Sequence, residues 1–324
     1  MNSDSTFKVY FPFELHGTHK FEGAPYSFEL NGLKITISPQ GYFQVLEIDG
    51  LQSESQAKDY FDQIPTAMIW AQLHSNIGIV MPTDLQEAIF PEVQNNSYNF
   101  FGVEIPFNGP TAFIEESRPV IVPSGIPLSK IILGRPSISV GCNAKPFVDY
   151  ILDAISMSLD KQFLNNEKNR LAFELYNAFY FVNSNNSQLM SLIMVLETLS
   201  IPEQKHPVVL TLIEKWKDEV DKLKEAYNEK SEEYAALNSI RQELLFRKIK
   251  SIKSGVRSFV LNTLLSGKIP DAKDLTDKAL NAYDKRSELV HKGSLPNDEL
   301  EAAVNEVKQI VEMIFKILLQ KCEI

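Results

Sequence analysis

The chain has 324 residues, 44% of them hydrophobic and 23% charged, with a formal net charge of −10 at pH 7. That apolar share excludes disorder along most of the length, and 2 Cys with 14 Gly and 17 Pro exclude disulfide-scaffold and collagen-like classes. Residues 1–150 hold 8 Lys+Arg against 16 Asp+Glu, and residues 151–324 hold 24 against 26. An acidic chain does not hold nucleic acid through its overall field, so any such binding needs a local basic patch.

Proline and glycine divide the chain. Thirteen of 17 Pro and 11 of 14 Gly fall at or before Pro146. Both residues punctuate strands and turns and are disfavoured inside helices. The expectation is an α+β protein: a mixed α/β strand-containing domain over 1–145 and an all-α helical bundle over 146–324. Alternation predicts strands at 7–11, 26–30 and 33–37, with Asn31-Gly32 as a hairpin turn between the last two. A further strand is predicted at 44–48. Apolar spacing predicts a helix from Ser55 to Leu73, kinked or split at Pro65. Short strands follow near 77–81, 98–105, 111–115 and 119–122.

Helical stripes then take over. Val148, Ile151, Ile155, Leu159 and Phe163 form one, and Leu171, Leu175, Ala178, Phe179 and Val182 the next. Residues 183–187 read as a turn. Leu189 to Leu199 carries a third helix, stopped before Pro202. Residues 207–265 read as two or three helices, with Val208 to Leu245 as a possible long hairpin. Leu212, Trp216, Val220, Leu223 and Tyr227 make a stripe there, for core packing or for a partner. Val304, Val307, Val311, Ile314 and Leu318 form the final seam.

Met1 to Phe11 shows no basic region followed by an apolar core, so no secretory signal is expected. The most apolar stretch is broken by Lys308, Glu312 and Lys316, so no membrane span is expected. Cys142 and Cys322 stand far apart, which suits inert thiols in a reducing cytoplasm. His16-Gly-Thr-His19 reads as a surface turn, because no further ligands accompany it. Phosphate-binding, dinucleotide, nucleophile-elbow and zinc-protease motifs are all absent from the sequence. No metal or cofactor is expected.

One segment suits phosphodiester chemistry: Ala282-Tyr-Asp-Lys-Arg-Ser-Glu-Leu-Val-His-Lys-Gly293. Arg286 offers a permanent charge and a planar fork for phosphate oxygens. His291 can move protons near neutral pH. On a straight helix the two lie about 140° apart, so they meet only if the helix distorts or ends, or if two copies meet. A structural reading uses the same residues. Gly293 would cap the helix, and His291 and Lys292 would face its dipole.

Here the chain resembles a family. Leu171-Ala-Phe-Glu-Leu-Tyr-Asn-Ala-Phe-Tyr180, Met194-Val-Leu-Glu-Thr-Leu199, Ser239-Ile-Arg-Gln-Glu243 and Arg286-Ser-Glu-Leu-Val-His-Lys-Gly293 resemble, in that order, HEPN domains of the Apea-like type. The resemblance spans roughly 146–324. It implies a helical bundle that forms a homodimer or higher homo-oligomer, and a metal-independent endoribonuclease with facing Arg-x4-His motifs. Arg286 would hold the scissile phosphate and His291 would act as general acid and base. The implied products carry a 2′,3′-cyclic phosphate and a 5′-hydroxyl. The implied setting is prokaryotic defence against phage by abortive infection. The N-terminal domain would then sense a protein or small-ligand trigger. A noncatalytic dimer, acting as an RNA-binding or protein-interaction scaffold, is the alternative.

Ser287, Lys285 and Glu197 are candidates for supporting roles. Glu197 sits in the apolar stretch Leu192 to Leu199, where it would partner Arg286 or Lys285, or else face outward. For RNA, the candidates are Arg241, Arg247, Lys250, Lys253 and Arg257, with Lys248 among them and Lys292 near the motif. The same cations would also suit a solvated face balancing Glu225, Glu229, Glu232 and Glu233.

Overall fold

A computed structural model describes residues 6–16, 19–22, 25–40, 43–82, 93–94, 97–100, 103–106, 109–114, 118–130, 140–157 and 159–320. The fold class is α+β, with a strand-rich N-terminal part followed by a helical bundle. The early strands are β1 (Phe7–Leu15), β2 (His19–Phe21), β3 (Tyr26–Leu30), β4 (Leu33–Gln40) and β5 (Phe43–Leu51). Helix α1 (Glu54–Ser75) leads to β6 (Ile79–Val80), β7 (Val93–Gln94), β8 (Ser97–Phe100) and β9 (Val103–Pro106). Then come β10 (Thr111–Ile114), β11 (Val120–Pro123), β12 (Leu128–Lys130) and β13 (Val140–Cys142). The later helices are α2 (Lys145–Ser156), α3 (Glu167–Phe181), α4 (Asn185–Leu199) and α5 (Pro207–Lys224). They continue as α6 (Glu232–Phe246), α7 (Ile252–Ser266), α8 (Ala272–Lys292) and α9 (Asn297–Leu319).

Strands give way to helices at Lys145, beside the composition break. Compactness divides the chain differently. One unit comprises Met1–Gln188 with Glu312–Ile324, and the other Leu189–Val311. Both borders fall inside helices, α4 and α9. Cys322, Gly17 and Thr18 lie outside the described residues.

The first unit is built on an antiparallel sheet in the order β11-β1-β5-β4-β3, with β6 on the far end of β1. Asn31 and Gly32 take φ of 52° and 78°, the left-handed pair that a two-residue hairpin turn needs. Strand β1 is covered on both sides. Phe11 meets Phe61 of α1 at 6.5 Å, and Phe13 stacks on Phe147 of α2 at 6.0 Å. Tyr10, on the opposite side, joins Val45, Ala112, Val120 and Val122.

Helix α1 runs unsplit through Pro65, so of the kink or split expected there the split does not occur. Ser53 caps its start by accepting from the Gln56 amide, and Asn76 closes it at φ 57°. Every residue from Ile64 to Leu73 is buried, and that burial outweighs the ladder bond lost at proline. The stretch predicted as one strand over 98–105 is a hairpin of β8 and β9. The stripe from Val148 to Phe163 is not one helix either. Helix α2 stops at Ser156, Leu159 bridges to Gln320, and Phe163 opens a 3-10 turn. In α3 the buried residues are Ala172, Phe173 and Tyr176, whereas Leu171 of the predicted stripe is 49% exposed.

The end of α9 completes this unit. Phe315 lies fully buried among Phe163, Phe173 and Tyr176, with ring centroids at 6.1, 6.1 and 5.5 Å. The Tyr176 hydroxyl donates to Glu312 at 2.8 Å and lies 2.9 Å from the Tyr180 hydroxyl. Tyr180 in turn donates to Asn76 at 3.2 Å. Burial first, then the nearby tyrosine and carboxylate, pushes the Tyr176 hydroxyl far above its ordinary value. Burial, with Glu47 second, does the same at Tyr10.

These raised values set an alkaline limit. The unfolded chain releases the tyrosine protons near the ordinary value of 10.0 while the folded chain keeps them. Their contribution is therefore full below that pH and is lost as pH rises above it. Each of Tyr10 and Tyr176 should contribute a slope of about 1.4 kcal/mol per pH unit. Urea melts between pH 8 and 11 should show the decline, and Tyr176→Phe should flatten it by one group's share. An unchanged slope in that variant would refute the assignment.

The second unit is a set of antiparallel helix pairs clasped by charge. Between α5 and α6, Glu214 meets Lys248, Asp221 meets Arg241 at 2.7 Å, and Lys224 meets Asn238 at 2.9 Å. One number rises as the other falls, which is the register of an antiparallel hairpin. Lys253–Asp284 at 2.6 Å and Arg257–Asp277 at 3.1 Å do the same for α7 and α8. Lys285–Glu299 at 3.6 Å and Lys278–Glu306 at 3.7 Å follow for α8 and α9. Such exposed pairs fix register more than they add stability.

Candidate functional site

Helix α8 presents the Arg-x4-His segment. It runs regularly through His291 and Lys292 and ends at Gly293, which takes φ 80° and donates to Leu289 at 2.8 Å. Arg286 and His291 therefore leave one helix about 140° apart and do not converge within a chain. His291 is exposed in the last turn, beside Lys292, where a cation suits the helix dipole.

Arg286 is half-buried, and its Nε is buried with no hydrogen-bond partner. Its neighbours differ. Lys285 is held by Glu299, and Lys292 donates to Glu288 at 2.5 Å. Ser287 is half-buried on the same helix. Glu197 of α4 is half-buried too, but it is paired with neither Arg286 nor Lys285. Its carboxylate faces the Tyr283 hydroxyl. Burial and then that carboxylate raise the Tyr283 hydroxyl above its ordinary value, while Arg286 pulls it down. Tyr283, one turn before Arg286, was not singled out from the sequence; its i, i+3 spacing to the arginine was the available signal.

The basic patch is largely neutralised. Arg241, Lys248, Lys253 and Arg257 sit in the pairs described above, and Lys250 binds Glu203 at 2.6 Å. The partners are these carboxylates, not the run from Glu225 to Glu233. Arg247 is exposed and, among the described residues, in no ion pair.

The apolar stripe that runs along α5 to Tyr227, just past its end, is not core. Leu212, Trp216, Leu223 and Tyr227 are each more than 40% exposed, and among the described residues of α5 only Ile213 is buried. Among the described residues, no group of three His, Cys, Asp or Glu side chains is placed to hold a metal ion. Nor is any helix there long and apolar enough to cross a membrane. The first unit holds a cavity of about 540 Å³ between α1 and α3, which sequence reasoning also missed.

No protein family, curated protein or solved structure matches the chain.

Proposed function

We propose that the chain is a metal-independent, cytoplasmic endoribonuclease of the HEPN kind, acting in anti-phage defence as a homodimer. The carrying observation is Arg286: a half-buried guanidinium whose Nε has no partner, flanked by lysines that carboxylates already hold. Such a group is kept ready for an anion, and phosphate oxygens fit its fork. His291, exposed one and a half turns later, is free to exchange protons with a bound substrate. The 140° between them calls for Arg286 of one copy and His291 of another at each cut. The exposed apolar face of α5 supports association with a second copy. Attack by the RNA 2′-hydroxyl would leave a cyclic phosphate and a free 5′-hydroxyl, with His291 moving the protons and Arg286 stabilising the charged phosphorane.

The test is cleavage of total RNA and tRNA in EDTA, with product ends mapped. Arg286→Ala or His291→Ala should each lower the rate by about 10²–10⁴-fold. Mixing the two inactive variants should restore part of the activity, because one of the two shared sites in each mixed dimer is then intact. Variants that cut like the parent would sink the proposal.

The neutralised basic patch favours a second reading, a noncatalytic scaffold. In that case a folded dimer cuts nothing, and His291→Ala lowers only thermal stability or association.

A further inference from the structure

The cavity of the first unit is built by two helix faces. On α1, Lys58, Asp62, Pro65 and Thr66 follow i, i+4, i+7, i+8 spacing. On α3, Arg170, Phe173, Glu174, Asn177, Ala178 and Phe181 follow i, i+3, i+4, i+7, i+8, i+11. The two helices are tied by Gln72, which donates to Asn177 at 2.7 Å, and by Tyr180 with Asn76. Residues 79–82, leaving β6, and the turn before Asn165 add apolar wall and one more cation, Lys161. The volume of about 540 Å³ lies in the range of small-molecule sites.

The lining carries charge of both signs. In the second unit most cations of the basic patch have carboxylate partners. Here Lys58, Lys161 and Arg170 line one cavity, and none is in an ion pair or a side-chain hydrogen bond among the described residues. Asp62 and Glu174 also line it and are likewise unpaired. Three cations against two carboxylates leave the lining net positive at neutral pH. Burial lifts the Asp62 carboxyl above its usual range even though Lys58 and Lys161 act to lower it. Buried Phe173 and Pro65, with Ile79 and Leu164, supply an apolar body to the space.

We infer that this cavity binds a small organic anion, a phosphate or carboxylate on an apolar or planar body. The anionic end sits with Arg170 and Lys161. The body packs against Phe173 and Pro65. Asn177, Asp62 and Glu174 are left to accept or donate hydrogen bonds to its polar edge. The site does not depend on the nuclease reading, since its readout is binding and not cleavage.

The test uses the full chain and the fluorescent naphthalene sulfonate ANS, with the uncharged N-phenyl-naphthylamine as the matched control. The parent should bind ANS saturably. Arg170→Gln combined with Lys161→Gln should weaken ANS by about tenfold or more, a loss of about 1.4 kcal/mol, while changing the neutral dye far less. Ala178→Leu, which fills the cavity, should weaken both dyes. Each variant is first checked for an unchanged cooperative melt. Adenosine monophosphate and decanoate then compete. Displacement by the first points to a nucleotide-like source, and by the second to a fatty-acid-like one. Displacement by neither, or ANS affinity untouched by both sets of substitutions, overturns the inference.

Discussion

Phe315→Ala should destabilise the first unit by about 3–5 kcal/mol, the cost of emptying a fully buried aromatic site. The ring meets Phe163, Phe173 and Tyr176, which come from a 3-10 turn and from α3. None of these can close the space without moving an element. The two tryptophans make the measurement clean, since Trp70 lies in the first unit and Trp216 in the second. With Trp216→Phe as background, urea unfolding followed by fluorescence reports the first unit through Trp70. A midpoint as little changed as for an exposed substitution, within about 0.5 kcal/mol, would show that the end of α9 contributes nothing there.

Gly78→Ala should cost about 1–3 kcal/mol by overpacking. An alanine Cβ would lie 2.6 and 2.7 Å from Tyr180 Cγ and Cβ, and 3.0 Å from the Cβ of His16. The backbone is not free to retreat, because the Gly78 carbonyl accepts from the His16 amide at 2.7 Å. The tyrosine is held as well, through Tyr176 and Asn76. A double-mutant cycle isolates the clash: in a Tyr180→Ala background the cost of Gly78→Ala should shrink. Equal costs in both backgrounds would place the strain elsewhere.

Local chemistry was readable where local rules decide. Asn31-Gly32 announced its hairpin because few other pairs accept two left-handed residues. Gly293 announced the end of α8 for the same reason. Pro65 left a kinked helix and a split one both open, since the burial that keeps α1 in one piece comes from strands and helices distant in sequence. The face of α3 misled for another reason. Leu171 and Leu175 look like core, yet Arg170, Phe173, Glu174 and Asn177 share the face that lines the cavity. A mixed polar and aromatic face has no apolar period to notice. Its partner face at Lys58 to Thr66 is over a hundred residues away in sequence. The Tyr176–Glu312 bond, spanning 136 positions, is equally invisible before folding. At the candidate nuclease site, residue type pointed to Arg286 and His291, but only the folded chain shows that Glu197 lies by Tyr283 and not in an ion pair with Arg286 or Lys285.

The return of residues 312–319 to the first unit has a consequence for biosynthesis. On a translating ribosome, domains usually mature in the order they are made, amino end first. Here residues 189–311 emerge before Phe315 and Glu312 exist. The sheet and α1 must therefore wait with an open seat beside α3 until α9 has almost been finished. A chain stalled at Val311 would carry that unfilled seat, with Phe163, Phe173 and Tyr176 facing water. Chaperones that grip apolar surface should favour such nascent chains over released ones.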